Sequence, residues 1–358
     1  MIGGRLNLYI ARRFAATLAI ILLAAAIIIF LADYVEVLRR FSGTEGFSAL
    51  VGVQLAMMRT PILLDTALPF AFLFGALLSL LGLSRKLELV VARASGVSAW
   101  GFLRAPFAVA LLFGALATLL LNPIAVALKE SAERMEAQLS GAARWGSGHW
   151  FRQESSAGAS IVHAGAASDD GSFLFGVTVF VFGHDGAFHA KVSAVRAEYA
   201  QGRWRMEDAI VVSGQREPTT VPLYELLTDL NADELRRSFV EPEAISVWSL
   251  PGFVATAERT GVESEQFRVA LHALVSRPFF LVAMVLIAAT VSLRLTRYGG
   301  TWRLILTGAV IGFLLYAFTE IASDLGGNGI IDPVLAAWLP PLVAMILGST
   351  ALLYQEDG

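Results

Sequence analysis

Apolar residues run through this chain in long unbroken blocks towards both ends and in short bursts through the middle. A helix needs roughly 20 apolar residues to cross about 30 Å of hydrocarbon. Phe14 to Ala32 meets that requirement. The stretch Ala49 to Leu83 is too long for one straight span, and Pro61 and Pro69 interrupt it with Asp65 between them. It reads as an interfacial segment followed by a span from about Ala67 to Leu83, because proline breaks the helical ladder. Trp100 to Leu121 is the third expected span. Leu271 to Leu293, Leu304 to Ile321 and Val334 to Tyr354 complete a set of six.

The middle of the chain has another texture. After a short helical lead from Ala125 to Leu139, the apolar runs are strand-length: Phe173 to Phe182, Phe188 to Tyr199 and Trp204 to Val212. His184-Asp185-Gly186 and Gln201-Gly202 separate them, and such pairs supply the positive φ of tight hairpins. Val177, Val179 and Val181 alternate with Thr178, Phe180 and Phe182, so both faces are largely apolar. Such a strand is buried on both faces, as in a sandwich, or lines an apolar groove. Asp229 to Thr260 returns the chain to the last three spans. The division expected is 1–121 (three spans), 122–266 (β domain) and 267–358 (three spans).

Composition supports a bilayer as the solvent. Hydrophobic residues make up 56%, charged residues 16%, and mean hydropathy is +0.64, more apolar surface than a soluble core of this length hides. The net charge of −3 argues for no nucleic-acid partner, and the absence of cysteine excludes disulfides and thiolate chemistry. The first apolar run is too long for a cleavable signal peptide and lacks a cleavage motif. There is no GxxxxGK[ST], HExxH or GxSxG, so neither ATP hydrolysis by this chain nor an enzyme site is expected, and no cofactor is implied. His184 and His189 flank an expected turn, either solvated or approaching each other at a metal.

Cations orient the spans. Arg5, Arg12 and Arg13, then Arg85, Lys86 and Arg93, then Arg294, Arg297 and Arg303 all fall on one side of a six-span chain. That side is expected to be cytoplasmic, with both termini inside and the β domain outside. Arg39 and Arg40 break the rule just beyond the first span. Arginine forks grip phosphate in a bidentate way, so two of them near an outer surface suit a lipid head group. Snorkelling to the interface is the other reading. Glu320 and Asp324 share one helix face at the end of the fifth span, beside Tyr316. They suit contact with the first-span arginines, a proton relay or plain hydration. Arg277 in the fourth span is equally open.

The loop Leu83 to Gly96 reads as a short amphipathic helix with Ser84 as N-cap and Gly96 as its stop. Leu87, Val90, Val91 and Ala94 share a face. The helix lies in the lipid interface or docks into a groove on a cytoplasmic motor protein.

This loop, R-x-L-E-L-V-V-x-R-A-S-G, resembles the coupling helix of the YjgP/YjgQ permease family, the LptF and LptG subunits of the lipopolysaccharide exporter. Tyr34 to Arg40 and Ile245 to Pro251 resemble it too, and the similarity extends over the whole chain. The E-L-V-V-x-R-A-S-G form is closer to the LptG branch than to the LptF branch. The resemblance implies six transmembrane helices with an inserted periplasmic β-jelly-roll domain, in the bacterial inner membrane. It implies an LptF–LptG heterodimer that binds two copies of an LptB-like ATPase. The assembly lifts lipopolysaccharide from the membrane and passes it to LptC-like and LptA-like proteins. Arg85, Leu87, Glu88, Val91, Arg93 and Gly96 are the expected coupling residues, with Glu88 at the family's acidic position. Asp33, Glu36, Arg39, Arg40, Tyr316 and Glu320 are the expected lipid-binding residues. Asp33 stands where some relatives carry lysine, which leaves room for a pairing with arginine or a bridging cation. A proton-coupled transporter using Asp33, Glu36, Glu320 and Asp324, and a membrane-tethered binding module, are the alternatives.

Overall fold

The computed structural model describes all residues except 1, 45, 95, 141–148, 156–157, 168–171, 184–186, 201, 214–217, 229–241, 260–263, 294–300 and 358. It forms two compact units. One comprises Met1–Val37, Ala56–Lys129 and Ile245–Gly358, and the other Leu38–Leu55 and Glu130–Ala244. The elements are α1 (Ile2–Phe41), α2 (Ala49–Arg85), α3 (Glu88–Ala94), α4 (Ala99–Leu116), a π-helical turn (Ala117–Leu121) and α5 (Asn122–Ser140). Strands β1 (His149–Ser155), β2 (Gly158–Ala164), β3 (Ala166–Ala167), β4 (Phe173–Phe182), β5 (Phe188–Ala200), β6 (Arg203–Val212) and β7 (Thr219–Leu227) follow. The chain ends in α6 (Leu250–Arg259), α7 (Glu265–Ser292), α8 (Thr301–Gly327) and α9 (Pro333–Asp357). Among the described residues, six helices are long and apolar enough to cross a membrane: α1, α2, the α4–α5 rod, α7, α8 and α9.

Several of these exceed one bilayer. Helix α1 has 40 residues and α2 has 37, about 55–60 Å each at the α-helical rise. The segment Ala49 to Thr66 is therefore not a separate interfacial piece. It is the first half of α2, and both prolines sit inside a continuous helix. Likewise the third span and the helical lead are one rod, joined through the π-helical turn.

Three prolines show how such helices survive in lipid. Proline lacks the N–H owed to the carbonyl four residues back, and hydrocarbon offers no water to replace it. Pro278 orphans the carbonyl of Leu274, and the Thr118 hydroxyl donates to it at 3.0 Å. Pro341 orphans Ala337, and the Ser276 hydroxyl donates there, also at 3.0 Å. Pro123 has no N–H for Leu119, and the Trp248 indole N–H supplies one at 3.1 Å. Each repair comes from a different stretch of chain, so each also ties two elements together.

Small residues let the helices approach. A Cβ on Gly114 would sit 2.6 Å from the Pro278 Cα, one turn from the Thr118 bond. Gly308 and Gly312, one turn apart on α8, face Leu77 and Leu73 of α2. Helix α7 is the axis of this unit: Leu281 to Val285 are all buried, most of them completely.

The β unit is a single antiparallel sheet in the order β1-β2-β4-β5-β6-β7, with β3 beside β4. Gly202 takes φ +74° in the two-residue β5–β6 turn, where a side chain would be strained. The sheet is rolled. The buried Gln153 on edge strand β1 donates its Nε2 to the Leu227 carbonyl on the opposite edge strand. Val177, Val179, Val192, Trp204 and Met206 fill the inside of the roll. On the other face Phe182 and Phe188 meet edge to face at 5.9 Å, with Phe188 49% exposed. The two apolar faces of β4 are therefore unequal: the valines are core, and the phenylalanines are a half-open aromatic surface.

Candidate functional site

Arginines and carboxylates mark two levels along the membrane helices. Twenty residues separate Arg13 from Asp33 on α1, and twenty separate Asp65 from Arg85 on α2. At the α-helical rise each interval is about 30 Å, the thickness of the hydrocarbon core. The coupling loop stands at the first level, and Asp33 and Asp65 stand near the second.

At the arginine level stands the loop between α2 and α4. Ser84 does not cap it, because α2 continues to Arg85 and the short helix α3 starts at Glu88. Leu87 makes the break, with φ +60°. Gly96 does stop the helix: it takes φ +85°, and the N–H of Val97 reaches the Ala92 carbonyl at 3.1 Å, the closing bond of a Schellman motif. Ser98 then caps α4 by accepting from the Gly101 N–H at 3.1 Å. Leu89 and Ala92 face inward and are buried, while Leu87 and Val91 are 61% and 67% exposed. The loop thus turns an apolar edge outward. The Arg93 side chain lies outside the described residues, as do Arg294 and Arg297. Arg85 is exposed at the end of α2.

Glu88 does not stand alone. Its carboxylate accepts from Arg13 Nη1 at 3.1 and 3.3 Å and from the Tyr9 hydroxyl at 3.0 Å. Arg13 also donates to the Tyr9 hydroxyl at 3.1 Å. The loop is thereby fastened to the foot of α1. Sequence reasoning used Arg13 only for orientation and missed this triad. Tyr9 and Arg13 are one turn apart on α1, which was the available signal.

At the other level, Asp33 is buried at 8% exposure. Its Oδ1 pairs with Arg59 Nη2 of α2 at 3.4 Å, and its Oδ2 has no hydrogen-bond partner among the described residues. Asp65 and Arg277 form a two-pronged pair, Nη1 to Oδ1 at 2.8 Å and Nη2 to Oδ2 at 2.7 Å. That fork joins α2 to α7 across 212 residues of sequence and resolves the ambiguity of Arg277. Glu36, Arg39 and Arg40 are exposed along the end of α1, and the Arg40 guanidinium lies 5.5 Å from the Phe41 ring. Tyr316 is half-buried against Phe70 of α2, with ring centroids 5.1 Å apart, and Glu320 is exposed one turn on. His184 lies outside the described residues, so its pairing with His189 is not described.

A cavity of about 450 Å³ lies between α1, α2 and the α4–α5 rod. Its wall is apolar except for Thr60, Asp65 and Asn122. Next to it, the segment Ile245 to Pro251 closes on the rod: the Val247 N–H donates to Asn122 Oδ1 at 2.9 Å, beside the Trp248–Leu119 bond. The segment thus has a structural task that its sequence alone did not disclose.

Known proteins resemble this chain along nearly its whole length. The family model for the lipopolysaccharide export system permease LptF/LptG matches residues 8–354. The chain is similar to the lipopolysaccharide export system permease protein LptG of Escherichia coli strain K12, 23% identical over 352 residues, 94% of each chain. The protein of the same name from Escherichia coli O6:H1 matches equally. The six apolar helices, the inserted antiparallel β domain and the match along nearly the whole length lead to one conclusion: this chain belongs to the LptF/LptG family of lipopolysaccharide export permeases, multi-pass proteins of the inner membrane.

Proposed function

We propose that the chain is the transmembrane subunit of an ATP-driven lipopolysaccharide extractor whose ATPase resides on a partner. The termini and the α2–α4 loop face the cytoplasm, and the β domain faces the periplasm. An LptB-like ATPase, present in two copies, docks on the outward apolar edge of Leu87 and Val91, with Arg85, Glu88, Arg93 and Gly96 completing the coupling loop. An LptF-like chain pairs with this one, and LptC-like and LptA-like proteins receive the lipid from the β domain.

The observation that carries this reading is the Tyr9–Arg13–Glu88 triad. It gives the coupling loop a mechanical connection to α1. The far end of that helix carries Asp33, Glu36, Arg39 and Arg40. A push on the loop displaces the foot of α1, and the arginines of the far end hold or release head-group phosphates as the helix shifts. Tyr316 and Glu320 on α8 complete the proposed lipid-binding set, with Tyr316 set deeper, against Phe70. Two of the carboxylates within the spans are ion-paired, Asp33 with Arg59 and Asp65 with Arg277, which weighs against a proton relay through them.

The test is co-purification of the tagged chain in detergent. The double substitution Leu87→Asp with Val91→Asp leaves the chain folded and removes the ATPase from the eluate. Undiminished recovery of the ATPase overturns the docking assignment.

A further inference from the structure

The α4–α5 rod contains two of the usual causes of a sharp bend, a π-helical turn at Ala117–Leu121 and a proline just beyond it, Pro123. The Asn122 N–H reaches back five residues to the Ala117 carbonyl, and Pro123 brings no N–H at all. The rod is therefore weakest in its own bonding here, yet α4 runs on into α5 without interruption. Something outside the rod holds it.

The two sides of the turn are held differently. Before it, α4 is pressed onto α7 through Gly114 and Pro278, and the Thr118–Leu274 bond beside that contact is buried. After it, the rod is held by two consecutive residues of the returning segment. The Val247 N–H donates to Asn122 Oδ1 at 2.9 Å in a buried bond, and the Trp248 indole N–H donates to the Leu119 carbonyl at 3.1 Å. Leu119 and Asn122 are three positions apart, so both bonds grip one face of one turn. Buried Ile245, Val247 and Leu250 seat the segment, and the Ser246 carbonyl accepts from the N–H groups of Ser249 and Leu250 at 3.0 Å, which fixes the turn into α6. Trp248 itself is 66% exposed, so water and lipid head groups compete for its N–H and for the carbonyl it serves. On the cavity side Leu121 and Ile124 are half-exposed, so protein packing opposes a bend least in that direction.

We infer that Ala117 to Pro123 is a hinge in the rod and that Val247 and Trp248 are its catch, with the indole as the releasable half. With the catch closed, the rod that leads the chain out of the apolar unit and the segment that brings it back move as one body with α7. With the indole released, α5 swings about the π-helical turn while α4 stays seated on Pro278. Asn122 and Trp248 are thus positioning residues for the moving part of the permease. The hinge and its catch depend on neither the proposed orientation nor the partner ATPase.

The test places spin labels at Ala127→Cys on α5 and Leu335→Cys on α9 of the full chain in detergent, which has no natural cysteine. Both sites are exposed, and α9 is tied to α7 by the Ser276–Ala337 bond. Ala127 stands six residues beyond the turn, about 9 Å, so a kink above about 20° moves it by about 3 Å or more. The parent gives one narrow distance by pulsed electron resonance. Trp248→Phe adds a second distance displaced by that amount. Replacement of the indole by its sulfur isostere, benzothiophene, keeps the shape, removes only the N–H and does the same. Asn122→Ala combined with Trp248→Phe makes the displaced population the larger one. Thr118→Val lowers the melting temperature yet keeps the single distance, which separates the catch from general loss of stability. Trp248 is exposed, so its variants fold and decide the outcome if Asn122→Ala does not. A parent distribution as broad as those of the variants, a single unshifted distance in both Trp248 variants, or equal broadening in Thr118→Val overturns the inference.

Discussion

Helices α1 and α7 are both long and apolar, yet they occupy opposite extremes of burial. In the most apolar window of α7, 67% of residues are buried; in that of α1, only 11% are. Hydropathy is in fact higher in α1, 3.0 against 2.1, so apolarity alone did not decide which helix became the core. What α7 has and α1 lacks is a proline whose orphaned carbonyl needs a donor, with a glycine of α4 pressed against that proline; glycines of α2 face α1 only near its foot, at Arg13 and Leu18. Helix α1 buries Ile10, Phe14 and Leu18 at its foot and is held by ion pairs about 30 Å apart, Arg13–Glu88 and Asp33–Arg59, with exposed Ile20, Leu23 and Ile28 between them. In a membrane an apolar face without a protein partner is covered by lipid at no hydrophobic cost, so a helix can be kept loose for movement or for partners.

The contrast breaks first under truncation of large side chains. Leu281→Ala in α7 leaves a cavity in a fully buried cluster and costs about 2–5 kcal/mol. Ile28→Ala in α1 stays within about 0.5 kcal/mol because that side chain is 67% exposed. Thermal unfolding of the detergent-solubilised chain reads both, and equal shifts contradict the distinction.

Next comes the repair of the proline break. Thr118→Val keeps the shape and removes the donor to Leu274, leaving a buried carbonyl unsatisfied at a cost of about 1–3 kcal/mol. A Thr118→Ser variant, which keeps the hydroxyl, lies much closer to the parent in the same unfolding measurement.

The smallest effect falls on the β domain. Glu225 accepts from Arg203 at 2.9 Å and from Arg205 at 3.1 Å, and the Arg203 hydrogen bond is the main reason its carboxyl sits below the usual glutamate range. A carboxyl with a depressed folded-state pKa adds stability that is present above the ordinary glutamate value and is lost as pH falls through the lowered one. The melting temperatures of the parent and Glu225→Gln therefore differ slightly at neutral pH and converge under acid. A gap that widens in acid contradicts the assignment.

Much of this architecture was legible in the sequence, for reasons that differ along the chain. The spans were readable because hydrocarbon thickness sets a minimum apolar length. Strand β4 was readable to the residue because glycine and polar turns bound it. Pro61 misled the reading of α2, because a proline within a long apolar helix was taken as its end, whereas α2 runs on through it. The Asn122-Pro123 boundary misled in the same way: the π-helical turn and the Trp248 indole carry the rod straight through it. Of the site, Glu88, Asp33 and the arginines were visible as residue types. The pairing of Arg13 and Tyr9 with Glu88, and of Arg59 with Asp33, was not, because a contact such as Arg13–Glu88, 75 positions apart, leaves no pattern that joins its two ends.

The central claim is that α1 follows the coupling loop through Arg13 and Glu88. The natural chain has no cysteine, so spin labels at Leu23→Cys on α1 and Val275→Cys on α7 report one distance without interference. Measured by pulsed electron resonance in the complex with its ATPase, that distance changes when a non-hydrolysable nucleotide binds. In Arg13→Ala the ATPase still co-purifies but the change disappears. A nucleotide-dependent change that survives in Arg13→Ala contradicts the account.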